Sequence, residues 1–481
     1  MRSAGQSKAI DMTRGPMFLN IVRFILPLMA TSLLQQLYHS ADIITVGFSS
    51  EPDAVGAIGS TANYIALIRN LFIGFSVGAN VVVARYIGMK NREKVSRAVH
   101  NSLCMSVLFG LVGMVLGIAF ARPVLVAMGL SGKLLSLALS YAYICLIALP
   151  VLSLTNFLSA ILNAGGNTKT PLYVLSLTGL LNVALNLLFI FAFGMSVEGV
   201  AIATAVSNLA SAIVLWVYLA KHGGDCAVSF RKLRLSRDMF REISRIGFPA
   251  GIQSSLFSIS NLLISASIVE VNNALTPTGS AYAPIIKANS VTSDIECFVF
   301  AALNTITTAA SAFVAQNVGA NDYKRVKMAF WQTTLIGVLI ALTMSAFVVL
   351  LRDPLLALYG IVDGEDTLSH LAYYAAESRV FLKWTLFLPF AVMNAGAGTI
   401  RGMGRSTIAA MFAFFGTCVF RVIWIFTVFE HFKTLEVIYI SYPISWFITG
   451  GVSFVFAIIL LRKKLTADRA GEAFSQESVT V

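Results

Sequence analysis

Twelve apolar stretches of roughly 20–30 residues follow one another along this chain, each near the length that crosses a bilayer as a helix. They fall at about 20–48, 54–80, 98–120, 138–162, 170–193, 198–220, 243–269, 283–315, 328–350, 372–396, 406–429 and 436–461. Lipid offers the backbone no hydrogen-bond partners, so only helices or closed barrels span it. The alternating ten-residue pattern of a barrel strand is absent. The expected fold class is an all-α polytopic membrane protein with twelve transmembrane helices. Composition supports this: 57% of the 481 residues are apolar and 12% are charged, against about 45–50% and about 25% in soluble domains. The first stretch is too long for a signal-peptide core, and no small-residue cleavage site follows it, so it reads as span 1 of the mature protein.

The net charge of +12 is a topology signal. With the N-terminus inside, the outer loops carry only Arg122, Lys133, Arg352 and Lys433. A few bases lie within spans, and the rest fall on inner segments. The positive-inside rule then places both termini in the cytoplasm, and the expected location is the inner (plasma) membrane. No nucleic-acid partner is needed to explain the charge. The five cysteines, Cys104, Cys145, Cys226, Cys297 and Cys418, form no CxxC pair. They read as small apolar fillers, with no structural disulfide or metal.

The chain is internally duplicated. Ile21, Arg23 and Pro27 recur at the same spacing as Ile243, Arg245 and Pro249, and VARYIGMKNREKV (83–95) matches VAQNVGANDYKRV (314–326). Pro150 and Gly165 are spaced like Pro389 and Gly404. Each half holds six spans, an even number, so the halves share one orientation as a parallel repeat about the membrane normal. The expected division is a cytoplasmic N-terminus (1–19), an N-lobe (20–220), a cytoplasmic linker (221–242) that serves as hinge, a C-lobe (243–461) and a disordered cytoplasmic tail (462–481). Two like-oriented lobes fit an alternating-access transporter, and a monomer suffices for it. No GxxxxGK[ST] phosphate loop is present, so an ion gradient is the expected fuel. No enzyme activity and no cofactor are expected.

Within span 1, LYHSADIITVG (37–47) carries a carboxylate, Asp42, in an apolar helix. Insertion of such a group costs about 2.5–3.5 kcal/mol. Gln35, Tyr38, Asp42 and Thr45 share one helical face, with His39 at its border. In span 5, Thr178, Asn182 and Asn186 share a face at i, i+4, i+8, and span 6 carries Thr204. Counting residues from the span ends puts Asp42, Asn186 and Thr204 at similar depth, roughly 7–10 Å below the outer interface. One cavity lined by a carboxylate, two carboxamides and a hydroxyl can coordinate Na+ through oxygen or hold a proton on Asp42.

HSADIITVG, the run 56–90, AVH (98–100) and QNVGANDYKRV (316–326) resemble the multidrug and toxic compound extrusion (MATE) family, above all its prokaryotic branch named for the DNA-damage-inducible protein F. The resemblance covers both halves. It implies two pseudo-symmetric six-helix lobes in a V shape, exporting cationic or amphipathic organic compounds in exchange for H+ or Na+. It also implies an N-lobe cation site, whose helix 1 acid matches Asp42, whose helix 5 pair matches Asn182 and Asn186, and whose helix 6 threonine matches Thr204. The helix 5 acid of many relatives is Asn186 here, which leaves Asp42 as the only titratable group of that site. The helix 7 acid of another branch is absent; the nearest positions read SSLF (254–257).

The second half places its charges elsewhere. Asp42 aligns with Ile264, and Glu296 with Ile65. In KANSVTSDIECFVF (287–300), Lys287 and Asp294 share a face and Glu296 is rotated about 160° from them. Lys383 and Arg421 lie inside spans 10 and 11. Asp294, Glu296, Lys383 and Arg421, with Gln35, Tyr38 and His39, are candidates for a substrate cavity; for the charges of the second half the alternative is a neutralising structural network. Arg69 reads as a structural partner. Pro27, Pro150, Pro249 and Pro389 lie within predicted spans, and a bend at Pro27 is a means of coupling Asp42 to lobe movement. The second functional class is a flippase of lipid-linked precursors, for which a strongly cationic cavity is expected.

Overall fold

The computed structural model describes residues 9–48, 51, 54–128, 130–276, 283–364, 366–384 and 387–469. Among them every regular element is helical, and the chain forms two compact units, Met1–Ser258 and Ile259–Val481. The first unit contains α1 (Met17–Val46), α2 (Ala54–Gly88), α3 (Arg92–Ala127), α4 (Gly132–Ile147), α5 (Leu149–Ala164), α6 (Lys169–Leu187), α7 (Val197–His222) and the first part of α8 (Arg237–Leu275). The second contains the remainder of α8, then α9 (Pro284–Gly319), α10 (Tyr323–Leu350), α11 (Arg352–Leu358), α12 (Thr367–Trp384), α13 (Leu388–Gly402), α14 (Ser406–Ala413), α15 (Phe420–Trp424), α16 (Glu430–Phe432) and α17 (Leu435–Arg469).

Among the described residues ten helical segments are long and apolar enough to cross a membrane alone, and the bent pairs α4–α5 and α12–α13 bring the number to twelve when each pair counts as one crossing. The bends, 46° and 51°, fall at Pro150 and Pro389, each the second residue of its following helix. A proline ring clashes with the carbonyl four residues back, so the preceding helix cannot run through it, while a helix start tolerates it. Pro27 and Pro249 behave differently, since α1 and α8 run unbroken past them. Thr31 Oγ1 donates to the Pro27 carbonyl at 2.8 Å.

The duplicated motif 83–95/314–326 is a helix–turn–helix in both halves. Lys90 and Asn321 take left-handed backbones (φ 55° and 57°). The next residues, Asn91 and Asp322, cap α3 and α10 by accepting from Lys94 N and Arg325 N, each at 3.0 Å. The glycine pairing shifts by one position. The left-handed residues after α5 and α13 are Gly166 and Gly404 (φ 82° and 83°) rather than Gly165 and Gly404, because α5 has 16 residues and α13 has 15. The span after each bend carries a π-helical turn at the same distance from its start: Leu188–Ala192 and Ile425–Phe429 begin 19 residues after Lys169 and Ser406, and the second span has a further π-helical stretch at Phe414–Val419.

In the first unit α2 meets the start of α8 backbone to backbone. A Cβ on Gly74 would lie 2.2 Å from Gly251 Cα, and one on Gly247 would lie 2.7 Å from the Phe75 carbonyl. Gly74/Gly78 and Gly247/Gly251 are two small-xxx-small pairs, the spacing that lets helices in lipid approach closely. Tyr86 Oη donates to Glu242 at 2.5 Å along the same seam.

Two expected boundaries change. Residues 237–242 of the linker are already α8, and the remainder is fastened to α3: Ser229 N donates to His100 Nε2 at 3.0 Å and Asn101 Nδ2 to the Ser236 carbonyl at 3.0 Å. The tail is not disordered at its start, because α17 extends to Arg469; residues 470–481 lie outside the described ones. Large apolar side chains face outward on many helices, Leu177 (65% exposed) and Phe447 (71%) among them, as a lipid surround requires.

Candidate functional site

α1, α6 and α7 of the first unit bring four of the expected residues together. Asn186 Nδ2 donates to Asp42 Oδ1 at 2.5 Å, and Thr204 Oγ1 to Asp42 Oδ2 at 3.4 Å. Asn182 Nδ2 donates to Thr204 Oγ1 at 3.2 Å, and Asn186 Nδ2 also approaches Asn182 Oδ1 at 3.4 Å. Asp42, Asn182 and Asn186 are buried. The helical repeat explains the alignment: Asn182 and Asn186 are one turn apart on α6, and the π turn begins two residues after Asn186. Such turns gather at functional sites.

The rest of the span 1 stripe separates. Tyr38 Oη donates to the Ser176 carbonyl at 3.1 Å, with its ring against Gly179. A Cβ at Gly179 would fall inside that ring, so glycine is needed there; the sequence reading missed this, although Gly179 directly follows Thr178 in span 5. Thr45 donates to the Ala41 carbonyl of its own helix at 2.7 Å, His39 is half-buried and Gln35 is exposed. Thr178 pairs with Ser211 at 2.6 Å.

Asp42 therefore has amide and hydroxyl donors, and no cation among the described residues forms an ion pair with it. Partial charges compensate a buried carboxylate incompletely. Asn186 Oδ1 is buried and accepts no hydrogen bond. It stands beside the carboxylate as an unused oxygen ligand. A proton or a small hard cation completes such a group by neutralising its charge. Among the described residues no cluster of three or more His, Cys, Asp or Glu could hold a metal ion.

The second unit organises its charges around Glu296 on α9. Lys383 Nζ lies 2.6 Å from Oε1 and 2.8 Å from Oε2, and Arg379 Nη2 lies 2.8 Å from Oε2. All three are buried. Arg379 also donates to Asn289. Arg421 takes neutral partners, Ser445 Oγ at 3.1 Å and Asn261 Oδ1 at 3.3 Å. The Tyr442 ring lies 3.2 Å from Lys383 Nζ and 4.1 Å from Arg421 Cζ, centroid to atom. Asp294 is exposed and outside this cluster, and Lys287 Nζ donates to the Gly360 carbonyl at 2.9 Å. The expected joint role of Asp294 with Glu296 thus has no geometric basis. The sequence reading missed Arg379. Its signal was present: Arg379 and Lys383 are four apart, on one face of α12.

Against known proteins, a family model described as MatE matches residues 27–188 and 285–427, one segment in each repeat. The chain belongs to the MATE family. Its members are transporters rather than enzymes and need no cofactor. This MATE chain is 27% identical over 439 residues to the "Probable multidrug resistance protein YoeA" of Bacillus subtilis, covering 88% of this chain and 89% of that one. It is 26% identical over 260 residues to the multidrug export protein MepA of Staphylococcus aureus, covering 54% and 58%. Its fold matches a solved MOP superfamily transporter of Pyrococcus furiosus (TM-score 0.86, 20% identity, 96% and 99% covered). It also matches a multidrug resistance MATE transporter in an outward-facing conformation (TM-score 0.85, 21% identity, 96% and 100% covered). The two-lobed, multi-pass fold of this MATE protein is therefore established, and Asp42, Asn182, Asn186, Glu296, Lys383 and Arg421 all lie within the matched segments.

Proposed function

We propose that this MATE protein is a secondary antiporter of the inner membrane, with both termini cytoplasmic, that exports cationic or amphipathic organic compounds in exchange for H+ or Na+. The observation that carries this reading is the buried Asp42 carboxylate, held by Asn186 and Thr204 with no paired base among the described residues, beside an Asn186 oxygen with no donor. The cation binds at Asp42 with Asn182, Asn186 and Thr204 as its neighbours. Its arrival removes the cost of the buried charge, and its departure restores that cost. An equilibrium between two lobe arrangements shifts only by such a difference in binding free energy. Pro27 leaves the carbonyl one turn before it without its helical donor, so α1 is easiest to bend there.

The test uses proteoliposomes with an imposed pH or Na+ gradient and an organic cation whose efflux is followed. Wild type should move the cation only with a gradient, and Asp42→Asn should insert normally yet lose gradient-driven efflux. Gradient-driven efflux undiminished in Asp42→Asn would overturn the role of Asp42. Comparing the two gradients identifies the ion.

The flippase reading gains one observation: Arg379, Lys383 and Arg421 outnumber Glu296 in the second unit. The same reconstituted protein decides between them, since a flippase moves a lipid-linked anion and leaves organic cations in place.

A further inference from the structure

The first unit holds a second built feature, remote in sequence from Asp42. Between α3, α5 and α7 lies a cavity of about 610 Å3, walled by apolar side chains that include Leu103, Val107, Leu154 and Ile213. A second hollow of about 590 Å3 shares Trp216, Val217 and Phe230 with it, and its wall carries Lys221, Ser229 and Arg231. The two together make an apolar slot with a basic mouth.

The mouth is held in place. Ser229 is fastened by its N–H to His100, itself 2% exposed on α3, and the Phe230 ring stacks on Trp216 at 4.4 Å. Val228, in its wall, and Cys226 two residues before it are buried. Lys221 and Arg231 are exposed, and neither forms an ion pair among the described residues. Asp225, the only acid of the stretch 223–236, is occupied by Arg92 at 3.0 Å. From the mouth the chain continues with mixed apolar and basic residues, Phe230, Arg231, Lys232, Leu233, Arg234 and Leu235. Phe230 is 72% exposed. An exposed aromatic ring beside a tryptophan and unpaired bases is costly in water and favourable at the headgroup level of a bilayer.

We infer that this slot binds one anionic phospholipid, its acyl chain between α3, α5 and α7 and its phosphate between Lys221 and Arg231. Charge complementarity selects the lipid: basic pockets between helices at the inner interface hold anionic headgroups, while the apolar walls give a soluble anion nothing to fill. The site is separate from Asp42 and from the Glu296 cluster, and stands or falls without either.

The experiment places the protein in phosphatidylcholine vesicles containing increasing amounts of phosphatidylglycerol brominated on its acyl chains. Quenching of Trp216 is read as the difference between wild type and Trp216→Phe. Quenching should saturate at a low mole fraction of phosphatidylglycerol, and the double variant Lys221→Gln/Arg231→Gln should raise the half-saturating fraction on the order of tenfold. Brominated phosphatidylcholine should quench weakly and without saturation. Equal quenching by the two lipids, or no change in the double variant, would overturn the inference. So would full displacement by inorganic phosphate, which would give the mouth to a soluble anion. Circular dichroism of both variants confirms that they remain helical.

Discussion

Asp42 and Glu296 are both buried carboxylates on membrane helices, 8% and 3% exposed, and they keep opposite company. Asp42 receives an amide and a hydroxyl. Glu296 receives an arginine and a lysine, with Arg421 4.1 Å from the centre of the Tyr442 ring that Lys383 also touches. A carboxylate with neutral donors changes its energy sharply when a cation arrives. One already neutralised by two bases has little to gain from another. The two positions are also unrelated by the repeat, since Ile264 and Ile65 stand where each would recur. Duplication supplied the helices and turns; the chemistry arose separately in each half.

The comparison breaks most readily through matched substitutions. Asp42→Asn should abolish gradient-driven efflux while the thermal unfolding midpoint stays level or rises, because a costly buried charge is gone. Glu296→Gln should do the reverse to stability: it leaves Lys383 and Arg379 buried without a counter-charge, at about 3–5 kcal/mol. Adding Lys383→Met to it should recover part of that loss in a denaturation assay. A Glu296→Gln protein that is fully stable but inactive would instead make Glu296 a second transport site.

Transplanting the acid sharpens the contrast. Ile264→Asp places a carboxylate at the repeat position of Asp42, where the buried Ile264 sits in the apolar core of the second unit. It should lower stability by about 2.5–3.5 kcal/mol and add no cation dependence. Arg421→Gln removes a base whose hydrogen-bond partners are neutral, and should cost only about 1–2 kcal/mol, well short of Glu296→Gln. Thr204→Ala deletes the weakest link to Asp42, at 3.4 Å. Its expected effect is a rise of roughly fivefold in the half-saturating cation concentration, equivalent to about 1 kcal/mol, with maximal efflux retained.

Much of the first site was legible beforehand. Asp42, Asn182, Asn186 and Thr204 could be joined because helical periodicity fixes a face and the rise per residue fixes a depth. Gln35 and Tyr38 show the limit of that reasoning. Periodicity put them on the same face, yet neighbouring helices decide what each part of a face meets. Arg379 escaped notice because a base within a span has no assigned partner until the helix carrying Glu296 is set beside it. The Gly74/Gly78 and Gly247/Gly251 pairs were readable as spacings, but not as one seam.

Apolar length and residue spacing, both local quantities, were enough for the class of fold, the twelve apolar stretches and the duplication. They were not enough to tell which span prolines break a helix, since the chain bends at Pro150 and Pro389 and runs unbroken past Pro27 and Pro249. Which polar groups meet was a matter for the tertiary structure alone. A hydrogen bond between Asp42 and Asn186, or an ion pair between Glu296 and Lys383, depends on packing residues 144 or 87 positions apart to within about 3 Å. No local pattern specifies a distance of that kind.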